Sequence, residues 1–260
     1  MIKLNGHKID VTLFPDHTSQ VWKLPTQLFD SPKFLVEWDF QNEAELIHMA
    51  QLKALLDLKA RPTDLHIRYL PYARQDKETA NQATFALRPF ATLLNTLKFD
   101  KILIDDPHSS IATTLIQRSE AIYPVKKVQD IANLVGADLV CYPDKGARTR
   151  YSAIYEFESI YGEKVRNQLT GHIDAYDVVG NPSGKKVLII DDICDGGATF
   201  TILARDLLKQ GALSVDLFVT HGLFSKGLEP LLTSGIKRIF TQKGEAFETQ
   251  GQITYKETGL

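Results

Sequence analysis

Six short apolar runs with strand character punctuate the chain: LHIRYL (65–70), KILI (101–104), DLVCY (138–142), KVLII (186–190), VDLFVT (215–220) and KRIF (237–240). Between several of them lie segments with helical period, which is the pattern of a parallel sheet with crossover helices. The sequence therefore predicts an α/β fold. Asn42 with Glu45 reads as a capping box ahead of Leu46, Met49, Ala50, Leu52 and Leu56, the apolar stripe of an amphipathic helix. A second helix, 201–210, is expected to stop at Gly211.

At 260 residues the chain is long enough for two domains of ordinary size. ILIDD (102–106) and LIIDD (188–192) echo one another as apolar strands ending in paired aspartates, which two related α/β halves would explain. Ligands of open α/β sheets bind beyond the carboxyl ends of the strands, so the acids there are site candidates. With 43% hydrophobic and 24% charged residues the chain can bury a core, and a net charge of -2 gives no general attraction to nucleic acid or to an anionic membrane. Affinity for phosphate must then be local. No apolar stretch reaches membrane-spanning length and the first residues lack a signal-peptide layout, so a cytoplasmic location is expected. Cys141 and Cys194 fit no metal spacing and are read as reduced, partly buried thiols.

The richest stretch is LIIDDICDGGATF (188–200), where Asp191, Asp192 and Asp195 stand just before Gly196, Gly197, Ala198 and a helix start at Thr199. Unpaired N–H groups and the helix dipole at such a start attract phosphate, whereas three carboxylates repel it. One ligand satisfies both halves: a sugar phosphate offers its phosphate to Asp195 through Thr199 and its hydroxyls to Asp191 and Asp192. Four further segments carry chemistry. PYARQDK supplies Arg74, Gln75, Asp76 and Lys77 after a strand, either to hold a heterocycle and its phosphates or as a solvated polar turn. IDDPHSS places His108 beside Asp105 and Asp106, and YPDKGARTR adds Asp144; carboxylates with one imidazole suit a magnesium ion that also holds substrate phosphates. EKVRN carries Lys164 and Arg166 in a polar region, 159–184, expected to be a long loop that closes over a phosphate-rich site or lies solvated on the surface.

DDICDGGATF closely resembles the phosphoribosyl-diphosphate loop of the phosphoribosyltransferase fold, and PYARQDK looks like the nucleotide loop of the ribose-phosphate diphosphokinases. The resemblance runs on through FPD (14–16), DDPHSS, CYPDKGARTR, EKVR and THGLFS (220–225), and so covers most of the chain. It implies two phosphoribosyltransferase-like domains, 1–122 and 123–260, each a mainly parallel sheet flanked by helices. By position, Phe14, Asp16, Arg74, Gln75 and Asp76 would meet ATP, His108 and Asp144 would lie near magnesium, and Lys164 and Arg166 would be catalytic. Asp191, Asp192, Asp195, Gly196, Gly197, Ala198 and Thr199 would bind the ribose phosphate.

The family reaction is attack by the 1-hydroxyl of ribose 5-phosphate on the β-phosphorus of ATP, giving AMP and phosphoribosyl diphosphate, and the family forms homodimers or larger homo-oligomers. Departures from its pattern are Thr18 where a glutamate is usual, Gly196 for a threonine that binds the 5-phosphate, and Ala198 for a glycine. A position trimmed to glycine suggests a larger acceptor, such as ADP-ribose, as an alternative for the same chemistry. A catalytically silent regulatory relative and a plain phosphoribosyltransferase are the competing classes; the latter would have no use for PYARQDK.

Overall fold

The computed structural model describes residues 1–78, 83–166, 173–249 and 252–257, with the backbone only at 164–166, 173–176, 244–249 and 252–257. The chain divides into two compact units, Met1–Tyr123 and Pro124–Leu260.

The first unit contains strands β1 (Ile2–Leu4), β2 (His7–Lys8), β3 (Thr12–Leu13), β4 (Ser19–Gln20) and β5 (Phe34–Asp39), then helix α1 (Ala44–Asp57), β6 (Thr63–Tyr69), α2 (Leu87–Thr96), β7 (Lys101–Asp105), α3 (Ile111–Leu115) and β8 (Ser119–Ile122). Its main sheet runs β2-β1-β5-β6-β7-β8, parallel from β5 to β8, with β3 and β4 paired apart as a small hairpin. Period-two alternation sorts the strands: Val36, Trp38, Leu65, Ile67 and Ile104 are fully buried in one core with Met49, Leu52 and Leu56 of α1 and Phe90 and Leu94 of α2. Cutting one of these larger side chains back to alanine should destabilise the unit by about 2–5 kcal/mol. The alternate positions of β6, His66 and Arg68, are polar instead.

The second unit contains α4 (Val125–Val135), β9 (Leu139–Tyr142), α5 (Lys145–Tyr151), β10 (Ser159–Arg166), β11 (Ile173–Val179), β12 (Lys186–Cys194), α6 (Ala198–Lys209), β13 (Ser214–Gly222), α7 (Glu229–Leu232), β14 (Ile236–Thr241), β15 (Gly244–Thr249) and β16 (Gln252–Glu257). Its sheet order is β11-β10-β9-β12-β13-β14-β15-β16, parallel from β10 to β14 and antiparallel at both edges. Ile189, Leu217 and Ile239 are buried with Phe200, Leu203 and Leu207 of α6. Among the described residues no helix is long and apolar enough to cross a membrane.

Three local expectations are corrected. Asn42 and Glu45 form no capping box: the cap residue of α1 is Glu43, without a side-chain cap. The Glu45 carboxylate is buried and accepts from Trp38 Nε1 and from the Gln41 N–H, each at 2.9 Å, because an aromatic N–H inside the core leaves it a stronger use than the helix end. Helix α6 begins at Ala198 and extends to Lys209, ahead of Gly211 at φ +91°. Residues 159–166 and 173–179 are not loop but antiparallel partners, β10 and β11, and the first residues of β10, Ser159–Tyr161, also pair with β9, so ladder pairing along the segment outweighs the polar composition. The stretch 167–172 lies outside the described residues.

Candidate active site

In the second unit, β12 carries both aspartates inside the strand rather than beyond its end, since pairing with β13 continues through Ile193 and Cys194 to His221 and Gly222. Asp192 is buried. Its Oδ1 accepts from Arg150 Nη1 at 2.6 Å, and the two side chains are 3% and 13% exposed. Burial works against the Arg150 charge, yet the adjacent Asp192 and Asp191 carboxylates outweigh it and hold the guanidinium above its ordinary pKa. Asp191 accepts from the Asp192 N–H at 2.9 Å. Burial first, and the Asp192 charge second, push the Asp191 carboxyl well above the usual carboxylate range. Arg150 is thus paired with Asp192, while Asp191 beside it favours its neutral form and keeps oxygens free to bond hydroxyl groups.

Beyond β12 the chain turns through the exposed Asp195 and through Gly196 to Gly197, the cap residue of α6. Gly197 has φ +76°, and a Cβ there would meet Leu231 Cδ2 at 3.0 Å, so both backbone and packing call for glycine. Ala198 is exposed and Thr199 half-buried in the first turn of α6, where the N–H groups lack helical partners. The carbonyl of Cys194 accepts from the N–H groups of Leu223 and Phe224 at 2.8 and 3.2 Å, which docks the loop after β13 beside this turn.

Asp144 caps α5, its Oδ1 accepting from the Ala147 N–H at 3.0 Å. The next residue, Lys145, pairs with Glu163 of β10 at 2.7 Å, and Arg148 lies 4.5 Å from the centre of the Tyr161 ring. These contacts join the α5 segment to the strand that holds Lys164 and Arg166, whose backbones alone are described. Tyr142, fully buried at the end of β9, stacks on Tyr151 at 6.1 Å; among the described residues its hydroxyl has no hydrogen-bond partner, and burial pushes its pKa up to about 12.

In the first unit, the loop after β6 turns at Tyr72, φ +61°, whose hydroxyl donates to Glu43 Oε1. Arg74, Gln75 and Lys77 are exposed, whereas Asp76 is buried and accepts from Ser109 Oγ at 2.6 Å. The structure thereby brings PYARQDK against the turn that holds the half-buried His108. Asp105 pairs with His66 Nε2 at 2.6 Å and Arg68 Nη1 at 3.4 Å, and Arg68 reaches Glu37 at 2.9 Å. Phe14 and Asp16 occupy the tip of the β3–β4 hairpin. Asp16 accepts from the Thr18 hydroxyl at 2.8 Å and the Thr18 N–H at 3.0 Å, and these bonds hold its carboxyl below the ordinary range. Thr18 therefore closes the turn.

His108 belongs to the first unit and Asp144 to the second. Among the described residues no three His, Cys, Asp or Glu side chains converge as a metal cage.

No protein-family model matches the chain. It is 28% identical over 238 residues to a ribose-phosphate pyrophosphokinase of Pyrococcus furiosus, covering 89% of this chain and 84% of that one. It is 26% identical over 241 residues to a ribose-phosphate pyrophosphokinase of Saccharolobus solfataricus, covering 89% and 82%. The chain is a relative of the ribose-phosphate pyrophosphokinases. Among solved structures, a phosphoribosylpyrophosphate synthetase of Mycobacterium smegmatis superposes with a TM-score of 0.72 at 21% identity, over 90% of this chain and 79% of that one, which establishes the shared fold. The resemblance seen in the motifs and the expected α/β architecture are both borne out.

Sequence reasoning passed over Arg150 and Ser109. Arg150 was visible only as one of two arginines after Asp144, and nothing in the sequence joined it to Asp192.

Proposed function

We propose that this chain is a ribose-phosphate diphosphokinase, transferring the β,γ-diphosphoryl group of ATP to the 1-hydroxyl of ribose 5-phosphate to give phosphoribosyl diphosphate and AMP. The observation that carries the reading is the run from Asp191 and Asp192 directly into the Gly197 turn and α6, in a chain related along most of its length to enzymes of that name. Asp191 and Asp192 would fix the ribose hydroxyls, and the N–H groups from Gly196 to Thr199, with Asp195 at the turn, would hold the 5-phosphate. Held at both ends, the sugar presents its 1-hydroxyl in one orientation, and alignment is most of what phosphoryl transfer asks of a protein. Arg74, Gln75, Asp76, Phe14 and Asp16 would bind the nucleotide, and Lys164 and Arg166 would neutralise charge on the transferring group. Asp144 and His108 would lie near magnesium, which would supply charge neutralisation of the phosphate oxygens. The reading carries with it a cytoplasmic homo-oligomer.

A larger acceptor is favoured by one observation. The three atoms nearest to a Cβ built on Gly196 are methylenes of an exposed lysine, a flexible stem that can give way to a ribose phosphate esterified onward, such as ADP-ribose. The test is incubation with ATP, magnesium and each of ribose 5-phosphate and ADP-ribose, following AMP release and product mass. AMP with a product heavier by one diphosphoryl group is expected. No AMP with either acceptor would overturn the proposal.

A further inference from the structure

The lysine beside the cradle is not part of any motif considered above. Lys226 sits on the loop between β13 and α7, and its Cδ and Cε each pass 3.4 Å, and its Cγ 3.7 Å, from the point where a Cβ on Gly196 would stand. Three successive methylenes thus lie over the bare backbone of Gly196, and the ammonium is one bond beyond Cε. The loop is fixed there: Leu223 and Phe224 donate to the Cys194 carbonyl, and the Gly227 N–H donates to the Phe224 carbonyl at 2.8 Å. Lys226 is exposed, and no described carboxylate pairs with it.

We propose that Lys226 is a specificity-determining residue that binds the phosphoryl group on the 5-carbon of the ribose acceptor. The inference rests on the reading of the cradle as a ribose-phosphate site. A hydroxyl on residue 196 would contact that group from the floor of the turn; with glycine there, a flexible cation reaches it from the rim. Ammonium groups act on phosphate as point charges with rotatable donors, tolerant of exact geometry. Such a ligand accepts either a phosphate monoester or the first phosphate of a diphosphate bridge, and it discriminates against a sugar with no phosphate at all.

The experiment uses the full chain, wild type beside Lys226→Ala and Lys226→Arg. Calorimetric binding of ribose 5-phosphate and of ADP-ribose is measured on each, together with KM for acceptor and for ATP. Lys226→Ala should weaken binding of the acceptor the wild type takes by about ten- to a hundredfold, the loss of one hydrogen bond to a charged group. KM for ATP should stay within about twofold, and Lys226→Arg should recover most of the loss because it keeps the charge. Which of the two compounds the wild type binds identifies the source of the phosphoryl group. Unchanged acceptor binding in Lys226→Ala, an equal rise in KM for ATP, or no binding of either compound by the wild type would overturn the assignment. Binding with the expected Lys226 dependence but without AMP release would uphold it while removing the diphosphokinase reading.

Discussion

Ser109 donates its hydroxyl to the Asp76 carboxylate at 2.6 Å, and this one bond ties the loop after β6 to the turn after β7. Asp76 is buried, so the bond supports the loop from beneath while Arg74 and Gln75 stay exposed above it. The residue that looked like a nucleotide ligand is also a strut.

Ser109→Ala should leave the Asp76 carboxylate short of a donor and let the loop drift. KM for ATP is expected to rise about three- to thirtyfold with kcat little changed, in line with the usual penalty for an unsatisfied buried acceptor. Steady-state kinetics with ATP varied at saturating acceptor reads this. An unchanged KM would show that the loop keeps its shape without the strut.

Arg150→Met removes the partner of a buried carboxylate. Leaving Asp192 uncompensated should destabilise the second unit by about 3–5 kcal/mol, measured by urea unfolding. The double variant with Asp192→Asn should recover a large part of that loss, because no buried charge is then left without its counterion.

The raised pKa of Asp191 makes a prediction whose sign is fixed. The unfolded chain ionises this carboxyl at about pH 3.9, whereas the folded chain resists doing so, and each tenfold difference in proton affinity is worth about 1.4 kcal/mol. The stability tied to its protonated form is fully present below the unfolded value and is lost as pH rises through the folded one. Asp191→Asn, which cannot ionise, should therefore exceed the wild type in stability at neutral pH, with the gap closing as pH falls toward 4. A melting series across that range tests it, and a gap that widens on acidification would contradict it.

Tyr142→Phe deletes a buried hydroxyl that has no hydrogen-bond partner among the described residues. Stability should hold or rise by up to about 1 kcal/mol, since nothing is left unpaired. Thermal unfolding decides; a clear loss would mean that the hydroxyl bonds to something ordered.

Much of the architecture was legible because buried parallel strands are written locally. KILI and KRIF each lie inside the strand they predict, and helical period between the runs marks the crossovers. What escaped depends on distance. KVLII continues to Cys194 because β13 offers partners that far, and this places Asp191 and Asp192 within the sheet instead of on a loop beyond it. The polar run EKVR gives no strand signal of its own; its pairing comes from β11. In the site, the carboxylates and glycines announced themselves by adjacency. Their partners did not: Arg150 meets Asp192 across 42 positions and Ser109 meets Asp76 across 33. Glu45 had a short-range reading, the capping box, which a tryptophan in the neighbouring strand displaced.

The carbonyl of Cys194, shared by the N–H groups of Leu223 and Phe224, hangs the Lys226 loop from the same strand that carries the paired aspartates. Floor and rim of the cradle are thus separate pieces of chain on a common hinge post. On the proposed reading, exchanging side chains along 222–227 would retune which sugar phosphate is admitted while Asp191 and Asp192 keep their positions, so preference for an acceptor would be free to diverge faster than the chemistry performed on it.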